Sequence, residues 1–520
     1  MSSQPEPLLQ TRPDFRPPHD QAALVVLSAV LYALAFPPAS LGALGLVAIA
    51  PLVIALDRSS LRRAGWLGLL WGTTAIWGFG YWVPVALSTY WGQPAWFGAF
   101  CAFLGSVIFM GSYGCGFAVS AMLLMRRFSG VSRALLLAAA WVAWEMARGR
   151  LLTGDPWLLL GYALGPYPVM TQIADSGAVY AVSFVAAFTG CALAELLGGR
   201  DRRRAPVLTA VVLLIGTFVY GAWRLSLALP TTPQIAVRLV QGNNDPGVHW
   251  RPELYGAGLD RYLELSRNSS DSRHPDVIVW PESAVTFFLD REPELTGRIA
   301  RELSPLGSQL LLGGPHLDDR DPAIPKFFNS AFVLDANGSV TQRYDKEHLL
   351  PFGEYFPLQT IQLLRRNFER IRSFTPGSRN EALDTRLGRA AVVICFEAIF
   401  PDLVRRRMED AEVLVNLSND AWLGHGGGPR QHARMVAMRA IETRSWVLRA
   451  TTTGVTAIID PWGRVVAETP IDVATTLDGT VVPLRIDTIY ERVGDLFGWL
   501  CVLLTAGGIG LSLLSRRAIR

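Results

Sequence analysis

Apolar residues are spread unevenly along the 520-residue chain. Long, nearly unbroken apolar blocks fill the first 225 residues and return in the last 30, separated by short basic connections. Seven blocks lie near residues 22–36, 41–56, 65–87, 95–125, 134–146, 174–197 and 206–225, and an eighth near 493–514. A bilayer takes ~20 mostly apolar residues to cross, so the first, second and fifth are short. Glycine and proline inside such blocks are compatible with helices in lipid. The pattern predicts a polytopic α-helical membrane domain of about eight spans. The first apolar helix is expected to stay in place, because the start of the chain lacks the features of a removable signal peptide.

Between the seventh and eighth blocks the pattern changes. Short β-branched runs alternate with longer, charge-bearing stretches. Strands are predicted at 235–241, 277–280, 309–312, 331–334, 391–394, 413–417, 455–459 and 480–482, and helices at 253–266, 292–302 and 431–443. Strands alternating with helices indicate a layered α/β domain. The expected organisation is a flexible Pro-rich tail over 1–20, a membrane domain over 21–225 and an α/β domain over 226–492. An eighth transmembrane helix over 493–514 and a short tail over 515–520 complete it.

Charge sets the orientation. Only 18% of residues are charged, against roughly 25% in ordinary soluble proteins. The basic residues cluster at 57–63, 126–133, 198–204 and 515–520. With eight spans these connections all fall on one side, which the positive-inside rule makes cytoplasmic. The α/β segment is then extracytoplasmic. A net charge of +4 without a basic stripe interleaved with aromatics gives no reason to expect nucleic acid as a partner. The connection 148–172 is long and still apolar. Trp157, Tyr162 and Tyr167 suit a membrane interface there, so it either lies on or dips into the outer leaflet or is an ordinary ordered loop.

Of five cysteines, Cys101, Cys115, Cys191 and Cys501 lie in apolar blocks. Cys395 alone falls in the polar middle, closing the β-branched run 391–394. It has no disulfide partner in its domain, and no CxxC or Cys/His cluster suggests a metal site. Two further chemical residues sit near strand ends, where α/β sheets usually keep their chemistry. Glu282 follows V-I-V-W-P, and Lys346 lies in Y-D-K-E-H-L-L-P-F-G-E ahead of an apolar, turn-rich loop.

These three motifs, W-P-E, Y-D-K-x-x-L-x-P-F-G-E and I-C-F-E, together resemble the Glu–Lys–Cys signature of the nitrilase superfamily. With spans on both sides, the whole chain resembles the apolipoprotein N-acyltransferase family of bacterial inner membranes. V-Q-G-N at 240–243 with Trp250, L-V-N-L-S-N-D-A-W at 414–422, Q-H at 431–432 and T-G-V-T at 453–456 carry the likeness further. So do Glu145, Arg148, Leu152, Thr153, Gly154, Pro156 and Trp157 in the membrane part. Phe396 stands where the family often has tyrosine, Leu423 where an aromatic is common, and 424–429 is rich in glycine.

The resemblance implies a nitrilase-like αββα sandwich outside the cytoplasm, on the periplasmic side of the inner membrane. It implies Cys395 as nucleophile, Glu282 as general base and Lys346 as the cation for the oxyanion. Cys395 would take an acyl chain from a phospholipid as a thioester and pass it to the N-terminal amine of a diacylglyceryl-modified apolipoprotein. No metal or other cofactor is required, and a monomer is the expected state. Glu354 and Glu397 are candidates to orient the triad or the amine, with Glu397 sharing the face of Cys395 if the strand continues. Trp250 and Phe396 are candidates to line an acyl or headgroup pocket. His432 is expected to be a structural hydrogen-bonding residue, and Asn416, Asn419 and Asp420 to shape the loop beside the site. Two other readings share parts of this pattern: a membrane-tethered amidase using water or a small amine as acceptor, and a non-catalytic binding or transport module.

Overall fold

A computed structural model describes residues 18–57, 59–198, 204–244, 252–268, 274–356, 373–378 and 381–517. The tail to residue 17, Trp250 and the last three residues lie outside these.

Two six-stranded sheets are found among the described residues. The first has the order β12–β1–β2–β3–β4–β5, with β1 at Ile235–Gln241, β2 at Val277–Val279, β3 at Gln309–Asp318, β4 at Lys326–Leu334, β5 at Val340–Asp345 and β12 at Thr475–Val481. The second has the order β11–β10–β9–β8–β7–β6. Its strands are β6 at Leu383–Thr385, β7 at Gly388–Ile394, β8 at Val413–Ser418, β9 at Trp446–Thr451, β10 at Ala457–Ile459 and β11 at Val465–Glu468. Each sheet has a parallel centre, β1–β2–β3 in one and β7–β8–β9 in the other, flanked by antiparallel strands.

The period-2 alternation of strands explains how the sheets stack. Along β7, Ala390, Val392 and Ile394 face the other sheet and pack with Val237, Val279, Leu311 and Val333. Ala391 and Val393 point the other way, into a helical layer. The strand is apolar on both faces, hence its unbroken run in the sequence. Helices Tyr255–Arg267 and Pro293–Leu303 cover the outer face of the first sheet. Helices Pro401–Arg407 and Gly427–Thr443 cover the second. The result is an αββα sandwich.

The second helical layer is continuous with the core of the N-terminal helical bundle. Four helices of that bundle and of the C-terminus are long and apolar enough to cross a membrane: Ala95–Met125, Ala174–Gly198, Ala205–Ser226 and Leu496–Leu514. Helices Leu61–Phe79 and Gly130–Arg148 have 19 residues each, and Asp20–Leu34 and Gly42–Leu56 are shorter apolar helices. The block expected at 65–87 is broken. Its helix ends at Phe79, Gly80 caps it, and a new helix runs Val83–Trp91.

Three expectations are corrected. Tyr162 is not at a lipid interface. It is wholly buried and accepts a hydrogen bond at its hydroxyl from Arg439 Nη2, 2.8 Å away. An amphipathic ring serves a buried polar junction as well as a membrane surface, so its composition alone did not separate the two. The strand before Cys395 does not continue to Glu397: it ends at Ile394, and Cys395–Ile399 is one helical turn. Strands β5, β6, β9 and β11 escaped the pattern: β5 is mostly polar, β6 and β11 are short, and Arg449 interrupts the apolar run of β9.

Helix Gly427–Thr443 is the joint between sandwich and bundle. Gln431 is fully buried. Its amide donates to the carbonyls of Pro37 (2.9 Å) and Phe79 (2.8 Å) and accepts from the indoles of Trp82 (3.2 Å) and Trp157 (3.1 Å). Just past the helix, Arg444 donates to Asp175 (2.7 Å) and to Gln172. Asp175 also takes Arg224 (3.0 Å) and the Tyr220 hydroxyl (2.8 Å). Asp175→Ala leaves Arg444 buried without its carboxylate, so it should destabilise the protein by about 3–5 kcal/mol. The measurement is the thermal unfolding midpoint in detergent. Arg320→Ala, which removes an exposed pair with Asp318, should leave that midpoint unchanged.

Candidate active site

Glu282, Lys346 and Cys395 come together at the sheet edges. Glu282 stands just past the C-terminal end of central strand β2, Lys346 directly follows β5, and Cys395 follows central strand β7. All three are buried, Lys346 to 1% exposure and Cys395 to 3%. Cys395 has a φ of +52°, the left-handed region that a side chain adopts at a cost of order 1–3 kcal/mol. That turn takes the chain abruptly from strand to helical turn. Gly313 on β3 allows Glu282 to sit where it does: a Cβ there would lie 2.6 Å from the Glu282 Cα.

The ammonium of Lys346 lies between two carboxylates, 2.8 Å from Glu354 Oε2 and 3.7 Å from Glu282 Oε1. The Asn329 side-chain amide spans the same gap, donating one proton to each carboxylate at 2.7 Å. Glu354 takes a third donor from Leu350 N–H at 2.7 Å. Glu282 takes the Asn419 N–H at 2.7 Å. Glu354 is thus the near counter-ion of the lysine, and Glu282 the more distant carboxylate with lone pairs to spare.

The electrostatics follow from burial and charge. Burial alone would discharge Lys346, but Glu354 and Glu282 override it and hold the ammonium charged, well above its ordinary value. Burial raises Glu282 above the usual carboxylate range, Lys346 opposes, and Glu354 adds to the rise. Burial also pushes the Cys395 thiol well up, helped by Glu282 and opposed by Lys346. The resting group is therefore a thiol beside a carboxylate with elevated proton affinity.

Glu397 lies behind this trio. It is wholly buried and accepts from the Tyr344 hydroxyl (2.7 Å) and the N–H groups of Glu347 (2.7 Å), His348 (3.0 Å) and Ile394 (2.7 Å). Arg407 stacks on the Tyr344 ring, 4.1 Å from its centroid. Glu397 thereby fastens the loop after Lys346 to the strand that carries Cys395. Phe396 packs against Phe400 and His348 with ring centroids 5.1 and 6.1 Å away. Beyond these rings lies a cavity of about 160 Å³, whose lining does not include Phe396. His348, Phe400, Arg150, Arg406 and Asp495 line that cavity.

The chain resembles known proteins over nearly its whole length. Residues 28–192 match the apolipoprotein N-acyltransferase N-terminal domain, and residues 236–489 match the carbon-nitrogen hydrolase family. The apolipoprotein N-acyltransferase of Geobacter metallireducens is 36% identical over 501 residues, 94% of this chain and 95% of the relative. This chain belongs to the apolipoprotein N-acyltransferase family. Its relatives in Brucella melitensis (96% of each chain) and Pseudomonas putida (98% of each chain) are both 32% identical to it and carry the same name.

Pattern reading of this family member missed Asn329 and Tyr344, which hold the charged groups in place. The signal for Asn329 was present: it is a polar residue inside the apolar run F-F-N-S-A-F. Asn419 holds Glu282 through its backbone, which no side-chain pattern reveals. Four donors converge on Glu397, and an amide has only one acceptor oxygen. Glu397→Gln should therefore loosen the Lys346 loop and lower kcat on the order of 10²-fold. Steady-state kinetics on the membrane-inserted protein would test this, with KM for the acyl donor close to unchanged.

Proposed function

We propose that the protein takes an acyl chain from a membrane phospholipid onto Cys395 and transfers it to the N-terminal amine of a diacylglyceryl-modified apolipoprotein. The observation that carries this reading is one arrangement. A buried base and a buried cation flank a lone thiol, in a sandwich whose outer helical layer is shared with an apolar bundle. A soluble amide substrate would not require that shared layer.

The bundle is read as eight spans in the bacterial inner membrane, with the sandwich on the periplasmic side. Arg133 joins Asp57 (3.9 Å) and Glu195 at the bundle end where the basic connections emerge. The sandwich joins the opposite end, through Gln431 and Arg444. The positive-inside rule makes the Arg133 end cytoplasmic.

In the first step Cys395 Sγ attacks the donor's ester carbonyl, and its proton passes to Glu282. The oxyanion forms beside Lys346 and the first N–H groups of the turn Cys395–Ile399. Collapse breaks the ester C–O bond. Glu282 returns the proton to the departing alkoxide, leaving lysophospholipid and a thioester. In the second step the neutral acceptor amine attacks the thioester and gives its proton to Glu282. The C–S bond breaks, and Glu282 reprotonates the thiolate. Each transfer moves a proton between groups inside the site, so its net charge never changes and Lys346 keeps its ammonium throughout.

Incubation with phospholipid should add a fatty-acyl mass to the peptide containing Cys395. Cys395→Ala should show neither the adduct nor N-acylation of an acceptor, while inserting normally. Retained transfer by that variant would sink the mechanism.

The pH dependence has a defined sign. Glu282 must be ionised to act, and its pKa lies above the ordinary 4.5. Single-turnover acylation should therefore fall off with decreasing pH at a higher pH than an unperturbed glutamate would give. It should hold through neutral and mildly alkaline pH, because Lys346 stays charged there. Glu282→Gln should remove that acid limb along with most of the rate.

A further inference from the structure

Ser418 ends β8 and is wholly buried, yet none of the steps above uses it. Strands β7 and β8 run parallel with Ile394 opposite Leu417, so the next residues in register are Cys395 and Ser418. The Ser418 side chain neighbours the Cys395 thiol and favours its ionised form. It also donates to Asp420 Oδ1 at 2.8 Å.

Asp420 is held on every side. Arg449 Nη2 lies 2.5 Å from its Oδ2, and His432 Nδ1 lies 3.0 Å from its Oδ1. Arg449 is itself fixed by the carbonyl of Val455 at 3.2 Å and by Asn416. Gly454 closes the remaining side, where a Cβ would come 2.2 Å from Oδ2. The cluster is fully buried, so the carboxylate cannot swing away, and the serine oxygen has a fixed neighbour on each flank.

A hydroxyl has one proton and two acceptor lone pairs. While it gives its proton to Asp420, it can only accept from a thiol S–H. Once Glu282 has taken the thiol proton, the sulfur needs a donor. Asp420 can release the serine proton at little loss, because Arg449 and His432 still satisfy it. We propose that Ser418 is a positioning residue for the nucleophile, donating to Asp420 while Cys395 is a thiol or thioester and to the sulfur while Cys395 is a thiolate. Its proton never leaves its oxygen; the thiol proton goes to Glu282 alone. This deepens the acyl-transfer reading, since it rests on Cys395 as the attacking group.

The test uses the full-length protein in detergent without lipid. Alkylation of Cys395 by iodoacetamide is followed against pH, by mass of the Cys395 peptide. Ser418→Thr and Ser418→Val have the same shape and differ only in the hydroxyl. The valine variant should alkylate about 10-fold more slowly at neutral pH, with its midpoint about one unit higher, while the threonine variant stays near wild type. The groups facing this pair, Glu282, Lys346, Asp420, His432 and Arg449, are the same in both variants, so their fields cancel in the comparison. Coincident threonine and valine profiles would overturn the proposal. If added bulk prevents folding of both, Ser418→Ala against wild type gives the same contrast. There an unchanged midpoint overturns it and a raised one supports it. A threonine–valine difference with no lipid-derived acyl mass on Cys395 would support the role of Ser418 and defeat the acyl-transfer reading instead.

Discussion

The active site depends on one ammonium kept charged where burial would discharge it. Lys346 is surrounded by protein, and two carboxylates hold its proton. The pair is unequal: Glu354 is close and takes three donors, and Glu282 is nearly an ångström further off. That inequality fits the proposed roles. The close carboxylate neutralises the lysine permanently, so the distant one can gain and lose a proton without freeing the lysine from its partner. Two equidistant carboxylates would share the ammonium, and neither would be distinguished as the proposed base. Asn329, with one proton for each, fixes the spacing on which the distinction rests.

The same constraint explains the scaffolding around the trio. A buried charge cluster tolerates little movement, because interactions in a low-dielectric site change steeply with distance. Glu397 ties the Lys346 loop to the Cys395 strand, and Asn419 ties Glu282 to the loop after β8. That loop carries Asp420, whose partner His432 lies on helix Gly427–Thr443 next to Gln431. Gln431 in turn is bonded to four groups of the helical bundle. The chemical site and the apolar bundle are therefore joined by one continuous polar network.

Much of this was legible in the sequence, for identifiable reasons. Cys395 closes a strand apolar on both faces, so its position at a sheet edge could be read from Ala391–Ile394. Glu282 follows a similar run. The apolar blocks announced the helices. What could not be read depended on contacts distant in the chain. Tyr162 and Trp157 had the composition of an interface loop but meet Arg439 and Gln431, more than 270 positions away. Glu397 looked like a continuing strand residue, yet the left-handed turn at Cys395 moves it behind the site. Ser418 is one hydroxyl in a polar string, and only the register of β7 against β8 sets it beside Cys395.

The resting state of Cys395 follows from these fields. A permanent thiolate in this pocket would face Glu282 and Asp420, two negative groups, with Lys346 as the opposing charge and the Ser418 hydroxyl as a weaker aid. In the proposed mechanism, keeping the sulfur protonated until Glu282 can accept its proton links deprotonation to the arrival of a carbonyl, whose developing oxyanion gives Lys346 a new partner as the sulfur's charge is consumed. The negative charge is created and relocated within one step, between groups already in place. On that mechanism a buried thiol with a raised proton affinity is no obstacle to the reaction of the proposed nucleophile.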